Sequence, residues 1–312
     1  MRRIAISLTL ILCLGALPAQ AADKLTVLLD WFVNPDHATL IIAQEKGFFA
    51  RAGLEVELIA PANPNDPPKL VAAGKADLAI SYQPQLHLQV DRGLPLRRIA
   101  TLVGTPLSSL VVLKDGPIKS IADLKGRKIG FSVGGFEDAI LGAMLRKAGL
   151  SLRDVTLINV NFSLSPSLIS GQVDAVIGAY RNFELNQMDI VKRPGRAFFV
   201  EEEGVPAYDE LIVVAHADRL GDKRLARFVT ALEAAVLFLV NHPEDGWALF
   251  IKGRKDLNDE LNKRAFRDTL PRFALRPAAL DQGRYRRMAQ FLKDQGLISK
   301  AGAVADYAIE LQ

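Results

Sequence analysis

The densest run of polar and aromatic residues in the chain is Asp30-Trp31-Phe32-Val33-Asn34-Pro35-Asp36-His37. A tryptophan there can stack on a flat ring, and Asn34 can both donate and accept hydrogen bonds. Trp31 could equally plug a core, and Asp36 could serve only as a helix N-cap. His37 stands near a first helical turn, where it can contact a ligand or hydrogen-bond the loop. A second cluster, Tyr180-Arg181-Asn182-Phe183-Glu184, sets a ring and a carboxylate four positions apart, on one face if a helix starts there. Stacking and an N–H acceptor together suit an amino-substituted heterocycle. A carboxylate in a closing cleft is costly unless paired, so Glu184 either salt-bridges Arg181 or takes its donors from a ligand. In a third stretch, Ser132-Val133-Gly134-Gly135-Phe136-Glu137, bare backbone N–H groups at a helix N-terminus can bind an anion or a carbonyl. Its spacing is neither that of a phosphate loop nor that of a dinucleotide site.

Residues for catalysis are sparse. His37, His87, His216 and His242 are scattered without metal-ligand spacing, and no Gly-x-Ser-x-Gly elbow occurs. No pair of carboxylates is singled out for acid–base work. The pattern favours binding over reaction, with no catalytic residue, metal or cofactor expected.

The elements that must position these clusters alternate. Strands are expected at Leu25–Leu29, Val56–Ile59 and Leu78–Ser81, with helices at Ala38–Gln44 and up to Gly74 between them. That βαβαβ order implies a parallel sheet covered on both faces. A second series runs through strand Lys128–Ser132, helix Glu137–Lys147, strand Thr156–Val160, helix Pro166–Ser170 and strand Ala175–Gly178. Each series contains the same unit 97 positions apart: Gly74-x-x-Asp77 and Gly171-x-x-Asp174, each followed by an apolar strand ending in a tyrosine, Tyr82 or Tyr180. Each glycine suits a left-handed helix end and each aspartate a turn. The ends of such strands are where open α/β sheets bind ligands. From Lys223 the pattern turns helical, with Leu225, Phe228, Val229, Leu232, Val236 and Leu239 on one face.

The simplest assembly is two α/β lobes: residues 22–112 with 208–312 and its C-terminal helices, and residues 113–207 between them. Extended crossings near Leu110–Leu113 and Glu210–Val213 would form a two-strand hinge able to close on a ligand.

Residues 1–21 read as a secretory leader, with Arg2 and Arg3, an apolar run from Ile4 to Leu17, and Ala19-Gln20-Ala21 before a cut at Ala22. The sole cysteine, Cys13, lies within it, behind Leu12 rather than the small residue a lipoprotein box requires. The exported chain would therefore lack disulfides and thiol chemistry. Removing Arg2 and Arg3 from 39 basic residues leaves 37 against 35 acidic ones. So balanced a charge argues against a nucleic-acid partner. No later apolar run is long enough to span a bilayer.

Asp30-Trp31-Phe32, Gln44-Glu45-Lys46-Gly47-Phe48-Phe49 and Gly74-x-x-Asp77 resemble the solute-binding proteins of ABC importers. More narrowly, Asp30-Trp31-x-x-Asn34-x-x-His37 and Tyr180-x-x-x-Glu184 resemble the thiamine-pyrimidine-precursor family, which also includes the yeast-type pyrimidine synthases. The resemblance implies a type II periplasmic binding protein, a monomer that delivers an aminopyrimidine to an inner-membrane permease. Trp31 and Tyr180 would stack on the ring, Glu184 would grip its N–H groups, and Asn34 would bond its edge. His37 and Tyr82 are further candidates, and Gly134 and Gly135 would lend backbone donors. Val33 departs from the family, where many relatives carry proline. Related receptors that bind riboflavin or sulfonates keep another ligand open. A synthase-like enzyme is disfavoured, because those relatives use a cysteine-rich iron motif and a lysine-bound pyridoxal phosphate in the cytosol.

Overall fold

The computed structural model describes residues 22–311. Residues 1–21, expected to be a leader, and Cys13 within them lie outside the described residues. Ten strands build two five-stranded sheets. The first contains β1 (Asp23–Leu28), β2 (Leu54–Ile59), β3 (Leu78–Ser81), β4 (Leu96–Val103) and β10 (Leu211–His216). The second contains β5 (Ser108–Leu113), β6 (Lys128–Phe131), β7 (Thr156–Asn159), β8 (Ala175–Tyr180) and β9 (Gly195–Phe199).

The two sheets repeat one plan. Their orders are β2-β1-β3-β10-β4 and β7-β6-β8-β5-β9. In each, the first three strands are parallel and the fourth runs antiparallel to both of its neighbours. The expected parallel sheet therefore holds for each βαβαβ core, and a strand donated across the hinge makes the sheet mixed.

The repeated Gly-x-x-Asp unit has the same job twice. Gly74 and Gly171 sit at φ +69° and +77°, which a residue with a Cβ rarely adopts. Asp77 Oδ2 accepts the Thr26 N–H at 2.9 Å, and its own N–H donates to Thr26 O at 3.2 Å. Asp174 does likewise with Lys128, both bonds at 2.8 Å. Each aspartate thus locks the strand it starts to the middle strand of its parallel trio, β1 or β6, and so sets where the following tyrosine emerges.

Strand pairing moves the expected boundary at residue 112. Ser108–Leu113 pairs with β8 and β9, so it belongs to the second lobe, and the crossings fall at residues 104–107 and 200–210. Glu210 ties them together: its Oε2 accepts the N–H groups of Leu107 and Ser108 at 2.6 and 2.9 Å. Composition hid β4 and β9, because basic residues interrupt their apolar runs at Arg97, Arg98 and Arg196.

Helix Lys223–Asn241 buries the expected apolar face against the first lobe. The C-terminal tail is pinned there by Arg98, a fully buried side chain whose guanidinium donates to the carbonyls of Pro277, Ala278 and Ala279 at 2.9, 2.9 and 2.6 Å. Its planar fork of donors can satisfy several carbonyls at once, which offsets the cost of burying an arginine there.

Candidate functional site

A cavity of about 460 Å3, counted out to its mouth, lies between the lobes at the ends of β1, β3 and β8.

The first lobe supplies a cross-braced wall. The Asp36 N–H donates to Asn34 Oδ1 at 2.9 Å, so Asn34 rather than Asp36 is the N-cap of the short helical turn Pro35–His37. Asn34 Nδ2 also reaches Phe32 O at 3.1 Å, so its amide braces the loop while lining the cavity. His37 is fully buried and absent from the cavity wall. Its Nδ1 accepts the Asn34 N–H at 3.3 Å, which leaves Nε2–H to donate to Asp30 Oδ1 at 2.8 Å. The Tyr82 hydroxyl donates to the other oxygen of Asp30 at 2.9 Å. Its ring stacks on Phe136 of the second lobe, centroids 5.0 Å apart and planes 15° apart. Trp31 also crosses the gap, meeting Phe162 edge-on at 4.6 Å.

The second lobe supplies Tyr180, Glu184, Phe136 and Glu137. Tyr180 ends β8 and Glu184 opens helix Glu184–Ile190, so the two do not share a helical face as their spacing suggests. Instead the chain folds back, and Glu184 Oε2 accepts the Tyr180 N–H at 2.6 Å. The Tyr180 hydroxyl reaches Glu210 Oε1 at 3.4 Å. Arg181 turns away and pairs with Glu201 through both terminal nitrogens, at 2.7 and 2.8 Å. Glu184 therefore remains unpaired on the cavity wall.

Gly134 and Gly135 are not on that wall either. The Gly134 N–H donates to Asn65 Oδ1 at 2.9 Å, and Asn65 Nδ2 donates to Ser132 O at 3.1 Å, so this loop clasps the first lobe. Asn182 makes a second clasp, donating to Asp36 and Thr269 at 2.6 and 2.8 Å, and Asn186 a third, donating to Asp268 at 2.8 Å. Clasps of this kind can exchange for water when lobes part, which suits a hinge.

Of the residues expected at a site, Trp31, Asn34, Tyr82, Tyr180 and Glu184 converge on the cavity. His37, Gly134 and Gly135 support it from behind or across. Asp30, Asp36, Phe136, Glu137 and Gly178 also line it and were not among those expected. The first four stood in stretches already notable for polarity, but nothing local showed which way their side chains turn.

Four carboxyls thus line the cavity, with no lysine, arginine or histidine on its wall among the described residues. Burial dominates the titration of Asp36, Glu184 and Glu137. It lifts Asp36 to about 6 against hydrogen bonds from Thr269 and Asn182, and Glu184 to about 7 against the Tyr180 N–H. Glu137 rises to about 8 despite backbone donors from Ser132 and Val133. Behind the wall, burial raises Glu210 to about 7. Such a cavity offers an anion no counter-charge and favours a neutral or cationic molecule rich in N–H groups.

Two lobes, two crossing segments and a cleft between them define the periplasmic-binding-protein fold. The alkanesulfonate-binding protein of Xanthomonas axonopodis pv. citri, solved with bound MOPS, shares it with a TM-score of 0.72 at 16% identity, over 93% of this chain and 99% of that one. A Candida albicans protein described as having the generic periplasmic binding protein fold does so at 0.73 and 15%, over 93% and 97%. The chain belongs to the NMT1/THI5-like family, whose model matches residues 34–246. It is 56% identical to a Haemophilus influenzae protein named for thiamine biosynthesis, over 95% of both chains. It is 34% identical to the formylaminopyrimidine-binding protein of Halalkalibacterium halodurans, over 77% of this chain and 73% of that one. It is also 30% identical to the 4-amino-5-hydroxymethyl-2-methylpyrimidine phosphate synthase of Uromyces fabae, over 79% and 76%.

Proposed function

We propose that this protein is the periplasmic receptor of an ABC importer, closing on a thiamine-precursor aminopyrimidine and handing it to a membrane permease. One observation carries the reading: unpaired Glu184 lies beside Tyr180 on a cavity wall that also holds Trp31 and has no cation. The rings of Trp31 and Tyr180 stack on the pyrimidine, and Glu184 accepts its amino N–H groups. An alkanesulfonate is the poorer candidate, since its negative charge would meet four carboxyls and no basic partner.

The receptor reading is preferred to a synthase on composition. Beyond residue 21 the chain has no cysteine, so the cysteine-rich motif that the resemblance attaches to the synthases has no counterpart here. The leader expected at residues 1–21 would direct export.

Titration calorimetry with formylaminopyrimidine and with 4-amino-5-hydroxymethyl-2-methylpyrimidine is expected to show one site per chain, with no turnover of the ligand. Heat from neither compound would overturn the assignment. The asparagine clasps predict a kinetic effect as well. Asn65→Ala removes both bonds to the second lobe without touching the cavity wall. Ligand release should quicken about 3- to 10-fold, the loss of one or two net hydrogen bonds. Stopped-flow fluorescence of Trp31 reads this directly, and an unchanged release rate would show that the clasp does not hold the closed state.

A further inference from the structure

Glu137 is a buried carboxyl with an unusual seat. It opens helix Glu137–Lys147, and its side chain turns back so that Oε2 accepts the Ser132 N–H at 2.7 Å. The carboxyl then lies flat against the backbone of β8 at Gly178. A Cβ on Gly178 would fall 2.2 Å from Oε1 and 2.3 Å from Cδ, closer than any real contact. Gly178 also sits at φ +89° inside a strand, where glycine weakens the sheet. The strand thus leaves out a side chain where the Glu137 carboxyl sits. Glu137 and Gly178 together form part of the cavity wall, and Oε1 has no hydrogen-bond partner within the protein among the described residues.

The strongest charged and polar influences on this carboxyl are acidic or neutral, and the Arg92 guanidinium beside Gly135 is not on the cavity wall. Asp138 follows it on its own helix, Glu210 approaches from the hinge, and Tyr82 comes from the first lobe. Tyr180 ends the strand that carries Gly178. With no cation on the cavity wall, a carboxyl in such a place keeps its proton at neutral pH. Its backbone-bound oxygen already accepts, so the oxygen facing the cavity is the one free to carry the proton.

We propose that Glu137 is a further ligand-binding residue, whose neutral carboxyl donates a hydrogen bond from Oε1 to an unprotonated acceptor on the bound molecule, with Gly178 as the seat that permits it. Resting on the receptor reading, this assigns the two glutamates opposite roles: Glu184 accepts N–H groups and Glu137 donates to a lone pair. A neutral aminopyrimidine, with ring nitrogens beside its amino group, offers both. A carboxyl raised by burial to about 8 keeps this donor through neutral pH and loses it above.

The test is calorimetry of the full chain with formylaminopyrimidine from about pH 6.5 to about pH 9.5. Glu137→Gln keeps an acceptor for Ser132 and puts an N–H where the O–H was. Its affinity at the lower pH should stay within about threefold of wild type, whereas Glu137→Ala should lose about tenfold or more. Above about pH 8 the ratio of wild-type to Glu137→Gln affinity should fall by up to about tenfold per pH unit. A Glu137→Gln protein as weak as Glu137→Ala at the lower pH, a pH-independent ratio, or undiminished binding by Glu137→Ala would each overturn the proposal.

A readout without ligand separates this from the receptor reading. The infrared difference spectrum of wild type minus Glu137→Gln near pH 7 should contain a protonated carboxylic-acid band. Should wild type bind no aminopyrimidine, the receptor assignment fails. The donor role then stands with that band present and falls with it absent.

Discussion

A Glu184→Gln protein is expected to bind formylaminopyrimidine about 10- to 100-fold more weakly than wild type while remaining folded. The loss corresponds to about 1.5–3 kcal/mol, the usual contribution of a hydrogen bond to a charged group. The substitution keeps the local fold, because the amide oxygen can still accept the Tyr180 N–H that Glu184 Oε2 accepts at 2.6 Å. What changes is the atom left for the ligand. An NH2 group would then point at the amino N–H groups of the pyrimidine, setting donor against donor. Stability should not suffer, since burial already disfavours the Glu184 charge and lifts its pKa to about 7. Calorimetry paired with a thermal melt separates the two effects. Unchanged affinity would remove Glu184 from the ligand set; a collapsed melting temperature would make it a structural group.

Wild-type protein without ligand is expected to lose stability steadily as pH rises from about 5 to about 8.5. Asp36, Glu184, Glu210 and Glu137 are held at about 6, 7, 7 and 8, all above their ordinary values and all chiefly through burial. A folded state that holds protons more tightly than the unfolded chain is favoured while those protons are present. Their contribution is therefore complete below about pH 4 and is lost as pH rises through the folded values. For an isolated group, binding its proton tenfold more tightly in the folded state is worth about 1.4 kcal/mol. Four carboxyls around one cleft titrate as a cluster, so the total should be several kcal/mol rather than a simple sum. In a chain this long that corresponds to a fall of about 5–15 °C in melting temperature.

Surface carboxylates act in the opposite direction. Asp123 and Asp154 are held below their ordinary values by backbone donors, from Lys119 and Ser151 respectively. Their contribution is present above about pH 4 and is lost as pH falls further, so the optimum should lie near pH 5. A bound aminopyrimidine should flatten the alkaline limb, because its N–H groups stabilise ionised Glu184. Scanning calorimetry across this range is the check, and a melting temperature independent of pH would show that the cleft carboxyls are solvated.

Local pattern was enough for most of the architecture. Strand Leu78–Ser81 and helix Glu137–Lys147 fall where alternation and periodicity place them, and the repeated Gly-x-x-Asp unit marks the two lobes. Those signals are local because backbone geometry is settled within a few residues. Strands β4 and β9 escaped, since Arg98 reads as a solvent-facing residue until the carbonyls of Pro277 to Ala279 are seen to surround it.

The site divides along the same line. By itself the sequence determined two α/β units and set Trp31, Tyr82, Tyr180 and Glu184 at or just past strand ends, because each of these follows from residue type and short spacing. Only the tertiary structure decided that His37 orients Asp30, that Asn65 occupies Gly134, that Arg181 leaves Glu184 free, and that Glu137 lies on Gly178. Each of those outcomes joins side chains that approach one another through the fold. The proton held by a carboxyl depends on the water removed and the charges brought near it, which belong to the closed cleft and not to the neighbouring letters of the chain.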